Sequence, residues 1–112
     1  MANVKWSDHA MIRMREQTRY IAEQSGSTEI AWKWATDVFT AADDRERFPE
    51  IGHPLPELLG TPYLEIIVRK FYRVIYRVVG ETCLIVTVRR TSMLIDESTL
   101  TEFDSVQPDL KH

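Results

Sequence analysis

Apolar residues in the first part of the chain recur every three or four positions, the spacing of an amphipathic α-helix. Two such stripes lie on either side of a Ser-Gly-Ser stretch, and their members are Met11, Met14, Thr18 and Ile21, then Ile30, Trp34, Val38 and Ala41. Ser7 or Asp8 can cap the first helix, and Ser27 or Thr28 the second, because these side chains accept hydrogen bonds from free backbone amides. The pattern predicts two helices joined by a tight turn.

The spacing changes to alternation after a loop rich in proline and glycine between residues 48 and 63. Extended segments are predicted over residues 3–6, 64–70, 71–79 and 82–90. A short C-terminal helix is predicted within residues 92–103, with Asp96 or Ser98 as its cap. The order β-α-α-β-β-β is typical of an α+β domain in which a helical hairpin packs on one face of an antiparallel sheet.

The segment FYRVIYRVV, residues 71–79, places arginines and large apolar residues on alternate positions. Because side chains of a strand alternate between its two faces, Tyr72, Val74, Tyr76 and Val78 share one face and suit the side beneath the helices. Arg73 and Arg77 share the other face, which we expect to be open to solvent or to a partner. On many proteins such arginines are simply solvated cations that keep a sheet from self-association.

Composition limits the class of protein. The chain has 112 residues and a net charge of −3, but residues 51–95 carry six Lys or Arg against three Asp or Glu. A strongly basic nucleic-acid-binding protein is not indicated.

The one cysteine, Cys83, lies in a strand pattern and is expected to be buried. The chain is expected to reside in the cytoplasm and away from membranes. We expect one domain over residues 1–103 and a disordered tail over 104–112.

Three stretches resemble the RelE/ParE superfamily of bacterial toxins: FPEIGHPLPEL, then YRVIYRV, then LIVTVRR. The resemblance covers roughly residues 5–95 and is most specific in the Tyr-Arg-Val-Ile-Tyr-Arg-Val stretch. It implies a helical hairpin on a curved antiparallel sheet, and the role of the toxin in a toxin–antitoxin pair. RelE-like members cut messenger RNA in the ribosome, whereas ParE-like members bind and poison DNA gyrase.

The catalytic residues of the RelE-like nucleases carry over incompletely. Arg73 matches the arginine of their Tyr-Arg strand, and Arg90 lies close to the second catalytic position, near Thr91, which holds no cation. The C-terminal tyrosine has no counterpart, and the lysine pair of the first long strand is reduced to Lys70. Because losing one proton-transfer or charge-stabilising group costs roughly 10²–10⁴ in rate, the ParE-like reading is favoured.

The favoured hypothesis is therefore a ParE-like gyrase inhibitor that needs no metal or other cofactor and is neutralised by a cognate antitoxin. Its expected target-binding cations are Arg69, Lys70, Arg73, Arg77, Arg89 and Arg90. Trp32 lies off the apolar stripe of its helix and is the expected partner-binding aromatic. A RelE-like endoribonuclease acting on ribosome-bound messenger RNA stays an alternative, as does a decayed, non-toxic binding module. Both a homodimer and a toxin–antitoxin hetero-oligomer stay open.

Overall fold

The computed structural model describes residues 3–105. Its helices are α1 (Asp8–Ser25), α2 (Thr28–Asp43) and α3 (Glu97–Ser105). Its strands are β1 (Asn3–Trp6), β2 (His53–Pro54), β3 (Leu64–Val68), β4 (Tyr72–Val79) and β5 (Thr82–Arg90). The predicted tail over 104–112 lies outside the described residues, apart from the two positions that end α3.

The five strands form one sheet in the order β1-β5-β4-β3-β2. Strand β1 runs parallel to β5, and the other neighbours are antiparallel. The predicted α+β fold is confirmed. The parallel pairing of β1 arises because α1 and α2 carry the chain between that strand and the rest of the sheet, a connection that no short hairpin could replace. The sequence pattern did not indicate β2, a two-residue strand inside the proline-rich loop.

The predicted helix caps are present. Ser7 accepts a hydrogen bond from the backbone N–H of Ala10, and its hydroxyl donates to the carbonyl of Val86, which ties the start of α1 to β5. Ser27 caps α2 by accepting from Ile30, and Gly26 takes the left-handed conformation that ends α1. Asp96 caps α3 by accepting from the backbone N–H of Thr99.

The main core lies between the helical hairpin and the first face of the sheet. Trp34 and Val38 of α2 and Met14 of α1 are buried there against Val74 and Tyr76 of β4. Tyr72 and Val78 pack on the edge of the same cluster. The face predicted to lie under the helices is therefore confirmed.

A second core covers the opposite face of the sheet. Its buried members are Leu55, Tyr63, Ile75, Leu84, Val86, Ile95 and Leu100. The loop after β2 and helix α3 thus close over the centre of this second face. The expectation that this face is open is wrong over most of its area. The physical reason is that Ile75 and its apolar neighbours on β5 would otherwise remain in water.

A β-bulge interrupts the regular alternation of β5. Ile75 is opposite Thr87, but the next residue of β4, Tyr76, is opposite Ile85. Val86 is therefore an extra residue on β5, and such a residue bends a strand and increases its twist. The bulge shifts the alternation of β5, so that Ile85 and Val88, three residues apart, both belong to the first core.

Candidate functional site

Arg73 lies in the middle of β4 and is only 3% exposed. Its Nη1 donates to carboxylate oxygens of Glu57 and Glu65, at 3.0 and 3.1 Å. Its Nη2 donates to the other oxygen of Glu57 and to the carbonyl of Met93, at 2.7 Å. Two carboxylates and a carbonyl from its own chain therefore surround this guanidinium, and the expectation that Arg73 faces a target from an open surface is wrong.

The Glu57 side of this ion pair is also fixed. Its carboxylate accepts a further hydrogen bond from the backbone N–H of Ile95. The hydrogen bonds from Arg73, the largest effect, hold the pKa of Glu57 at about 2, below its ordinary value of 4.5. The pKa of Arg73 is raised by the same pairing. The pair thus joins β4, the loop after β2 and the segment before α3, so its role is to hold the cover over the second face.

The other predicted cations do not form one cluster with Arg73. Arg77 is half-buried, four residues further along β4 and opposite Leu84, near the β4–β5 turn. Arg89 is directly opposite Arg73 and is also half-buried. Arg69, Lys70 and Arg90 are exposed. The predicted set is therefore divided among three places: the covered part of the sheet holds Arg73 and Arg89, the β4–β5 end holds Arg77, and the opposite, exposed end holds Arg69, Lys70 and Arg90.

The exposed sheet end is formed by the β3–β4 turn and the segment after β5. Two hydrogen bonds join them: Thr91 donates its backbone N–H to the carbonyl of Phe71 at 2.8 Å and its hydroxyl to the carbonyl of Lys70 at 3.2 Å. We call this region the strand-end surface, and its exposed side chains are Ile67, Arg69, Lys70, Phe71, Arg90, Met93 and Leu94. Cationic and large apolar side chains are mixed there, a composition that suits a protein partner.

The turn at this surface has an unusual backbone. Arg69 and Lys70 have φ angles of 53° and 70°, in the left-handed region that residues with a Cβ atom rarely adopt. Such conformations persist where the surroundings impose them, and they concentrate at functional sites. Here the Thr91 bonds and an exposed ion pair between Arg69 and Asp37 of α2 surround the turn. The turn therefore presents Lys70 and Phe71 in one defined conformation.

A second candidate surface is an apolar groove between α1 and α2, with a volume of about 400 Å³. We call it the helical groove, and its lining residues are Met11, Met14, Arg15, Thr18, Arg19, Trp32, Ala35 and Phe39. Trp32 is 71% exposed there, which confirms that it lies off the buried stripe. Trp34, by contrast, is buried and makes an edge contact with Tyr72. Arg15 and Arg19 give the rim of the groove a positive charge.

Two partners of Arg73 and two residues of the strand-end surface were not predicted from the sequence. Glu57 lies in a loop without periodicity, and Glu65 lies on a predicted strand, so their meeting at Arg73 depends on tertiary packing. Phe71 and Leu94 were not singled out either, although Phe71 directly follows two cations in a short turn.

Across residues 3–105 no cluster of His, Cys, Asp or Glu has a metal-binding arrangement. No helix in that range has the length and apolar character needed to cross a membrane.

Comparison with known proteins places this chain in a family. The family described as "ParE toxin of type II toxin-antitoxin system, parDE" matches residues 4–95. No curated protein matches. A solved structure of the chromosomal ParDE toxin–antitoxin system from P. aeruginosa is similar in fold, with a TM-score of 0.69 at 18% sequence identity over 80% of this chain and 96% of that one. The family match covers most of the chain, which therefore belongs to the ParE toxin family of type II toxin–antitoxin systems.

Proposed function

We propose that this protein inhibits DNA gyrase in the bacterial cytoplasm by binding it through the strand-end surface, and that a cognate antitoxin neutralises it. The observation that carries the proposal is the mixture of exposed Lys70, Phe71, Arg90 and Leu94 at one end of the sheet. Aromatic and cationic residues around a central apolar patch are enriched at protein–protein interfaces. Gyrase as the target follows from the family analogy.

Binding is favoured over RNA cleavage by the state of Arg73. In a nuclease this arginine would have to offset the charge that builds on the scissile phosphate. Here its guanidinium is buried and already bonded to Glu57 and Glu65. A phosphate would have to displace two carboxylates, one of them with a pKa of about 2, to reach it.

For the antitoxin we propose the helical groove. The groove is apolar, about 400 Å³ in volume, and Trp32 stands at its side as an exposed aromatic. Arg15 and Arg19 are exposed, so an amphipathic antitoxin helix with an acidic flank would match both the apolar floor and the charge of the rim. Such a segment would fold as it binds. We expect the antitoxin to be a small protein encoded next to this one and to co-purify with it.

The test is a supercoiling assay with purified gyrase and relaxed plasmid. The wild-type protein is expected to inhibit supercoiling, and the Lys70→Ala/Arg90→Ala variant to need at least about tenfold more protein for the same inhibition. Lys5→Ala is the matched control, because Lys5 is an exposed lysine on β1 and lies outside the strand-end surface. Full supercoiling at every wild-type concentration would contradict the gyrase target. Equal inhibition by the double variant would contradict the surface.

A parallel arm measures cleavage of ribosome-bound messenger RNA by the same preparations. No cleavage is expected. Ribosome-dependent cleavage by the folded wild-type protein would overturn the binding proposal in favour of the nuclease.

A further inference from the structure

Three nitrogen atoms at the junction of α1 and β5 are buried without a hydrogen-bond partner among the described residues. They are Nε2 of His9, Nε of Arg13 and Nε of Arg89. His9 and Arg13 are one helical turn apart, so they project from the same side of α1. Arg89 lies near the end of β5, the strand on which the start of α1 packs. Buried polar groups normally have partners, so three unpartnered nitrogens in one place need an explanation.

The imidazole of His9 is held in a fixed position. Its ring stacks on the ring of Phe103 of α3, with 3.4 Å between ring centres and 11° between planes. Ser7, two residues earlier, is bonded to both Ala10 and Val86, which ties the start of α1 to β5. The three side chains therefore belong to a junction where α1, β5 and α3 meet.

The charges at this junction act on one another. Burial is the largest cause that lowers the pKa of His9, and the positive charges of Arg13 and Arg89 lower it further. The pKa of Arg89 is likewise lowered by burial first, then by Arg13 and Arg73. Neighbouring positive charges destabilise the protonated forms of these groups unless an anion lies between them.

Four carboxylates of this part of the fold make their hydrogen bonds to atoms other than these three nitrogens. Glu16 bonds to Nη1 of Arg13 at 3.3 Å, from a side chain that is mostly exposed, and does not engage its Nε. Asp96 influences Arg89, but its Oδ1 already accepts hydrogen bonds from Ser98 and Thr99 at the start of α3. Glu57 and Glu65 are bonded to Arg73.

We propose that His9, Arg13 and Arg89 form a binding site for a phosphate group. Two guanidinium groups and an imidazole offer N–H donors and positive charge, the combination that binds phosphate oxygens in proteins. A phosphate of charge −1 to −2 matches this site better than a single carboxylate, because two guanidinium charges meet there beside an imidazole that a bound anion helps to protonate. The site is separate from the strand-end surface and from the helical groove, and it does not rest on the proposed gyrase target.

The experiment follows the His9 imidazole by NMR while inorganic phosphate is added at constant ionic strength. Saturable shifts of the His9 signals and an increase in its pKa are expected, because a bound anion favours the protonated ring. Arg13→Gln and Arg89→Gln should each weaken phosphate binding at least about tenfold, since each removes a charge-assisted hydrogen bond. Arg47→Gln is the control, at an exposed arginine outside both the strand-end surface and the helical groove, and should bind as the wild type does.

The outcomes decide between sources of the ligand. A nucleoside monophosphate or a short single-stranded oligonucleotide that binds more tightly than phosphate would identify a nucleotide source, and equal binding would identify the phosphate group itself as the ligand. Shifts no larger than those caused by sodium chloride, or shifts retained in both Arg13→Gln and Arg89→Gln, would overturn the site. Tighter binding of an acidic peptide than of phosphate would overturn the phosphate assignment.

Discussion

Arg73 of β4 and Glu57 of the loop after β2 form a two-pronged ion pair, with Nη1 to Oε1 at 3.0 Å and Nη2 to Oε2 at 2.5 Å. Both side chains are largely removed from solvent, at 4% and 15% exposure. Because Nη2 also donates to the Met93 carbonyl, and Glu57 accepts from Ile95, the pair connects the sheet to the segment that leads into α3. The cover over the second face depends on this connection.

Replacing Arg73 by alanine is therefore expected to damage the fold rather than a binding surface. The substitution leaves Glu57 and Glu65 without their cation, and breaking a buried pair in this way typically costs about 3–5 kcal/mol. Urea unfolding should show this loss in the free energy of unfolding. Arg90→Ala, at an exposed arginine of the next strand, is the control and should change it by less than about 0.5 kcal/mol. An Arg73→Ala variant as stable as the wild type would contradict the structural role.

The stability of the protein is expected to fall in acid because of Glu57. Its pKa is about 2 in the folded protein and near 4.5 when unfolded, so the unfolded state takes up the proton first. The stabilisation is complete above pH 4.5, declines as the pH falls towards 2, and amounts to about 3 kcal/mol. Thermal melts between pH 6 and 2 should show this decline. Glu57→Gln should be less stable at pH 6 and should show a smaller decline; an identical slope would contradict the assignment.

Replacing Trp32 by alanine should weaken antitoxin binding without weakening the fold. Trp32 is 71% exposed, so its loss removes little buried area from the free protein. A central interface tryptophan typically contributes about 2 kcal/mol or more, which corresponds to roughly 30-fold in affinity. Calorimetry with the purified antitoxin measures this change. Tyr20→Ala, an exposed aromatic of α1 outside the helical groove, should bind normally, and equal affinities for both variants would argue against the groove.

The charge and the backbone of Lys70 can be separated by two substitutions. Lys70→Gly relieves the left-handed backbone at φ 70° and should raise the free energy of unfolding by about 1 kcal/mol. Lys70→Ala keeps that strain and should bring no such gain. Both remove the cation, so both should weaken target binding to a similar extent in the supercoiling assay. Equal unfolding energies of the two variants would show that the turn is not strained.

The alternating pattern of β4 was sufficient to place its side chains on the correct faces. Tyr72, Val74 and Tyr76 pack beneath the helices because period-two spacing fixes the direction of each side chain. The helices and their caps were also predicted, because apolar spacing of three or four residues and capping side chains are likewise local signals in the sequence. Hydrophobic periodicity and capping chemistry thus accounted for most of the fold.

What covers the second face could not be read from the same pattern. Leu55 lies among prolines and Leu100 in a helix at the end of the domain, and neither belongs to a periodic run that points to a partner. One signal was present: β5 carries a nearly continuous apolar run, Cys83 to Val88, which is typical of a strand buried on both faces. A strand with apolar residues on both faces requires a covering layer on each face of the sheet. That requirement would have placed Arg73, which lies on the second face of the neighbouring strand β4, in the interior.

Cys83 offers a practical consequence of its burial in the first core. The thiol is fully enclosed between the helices and the sheet, and burial raises its pKa, so reagents that attack thiolates should reach it only when the domain opens. It is also the single cysteine of the chain. The rate of Cys83 alkylation therefore reports how often the native structure opens. It can be measured in every variant without an added label.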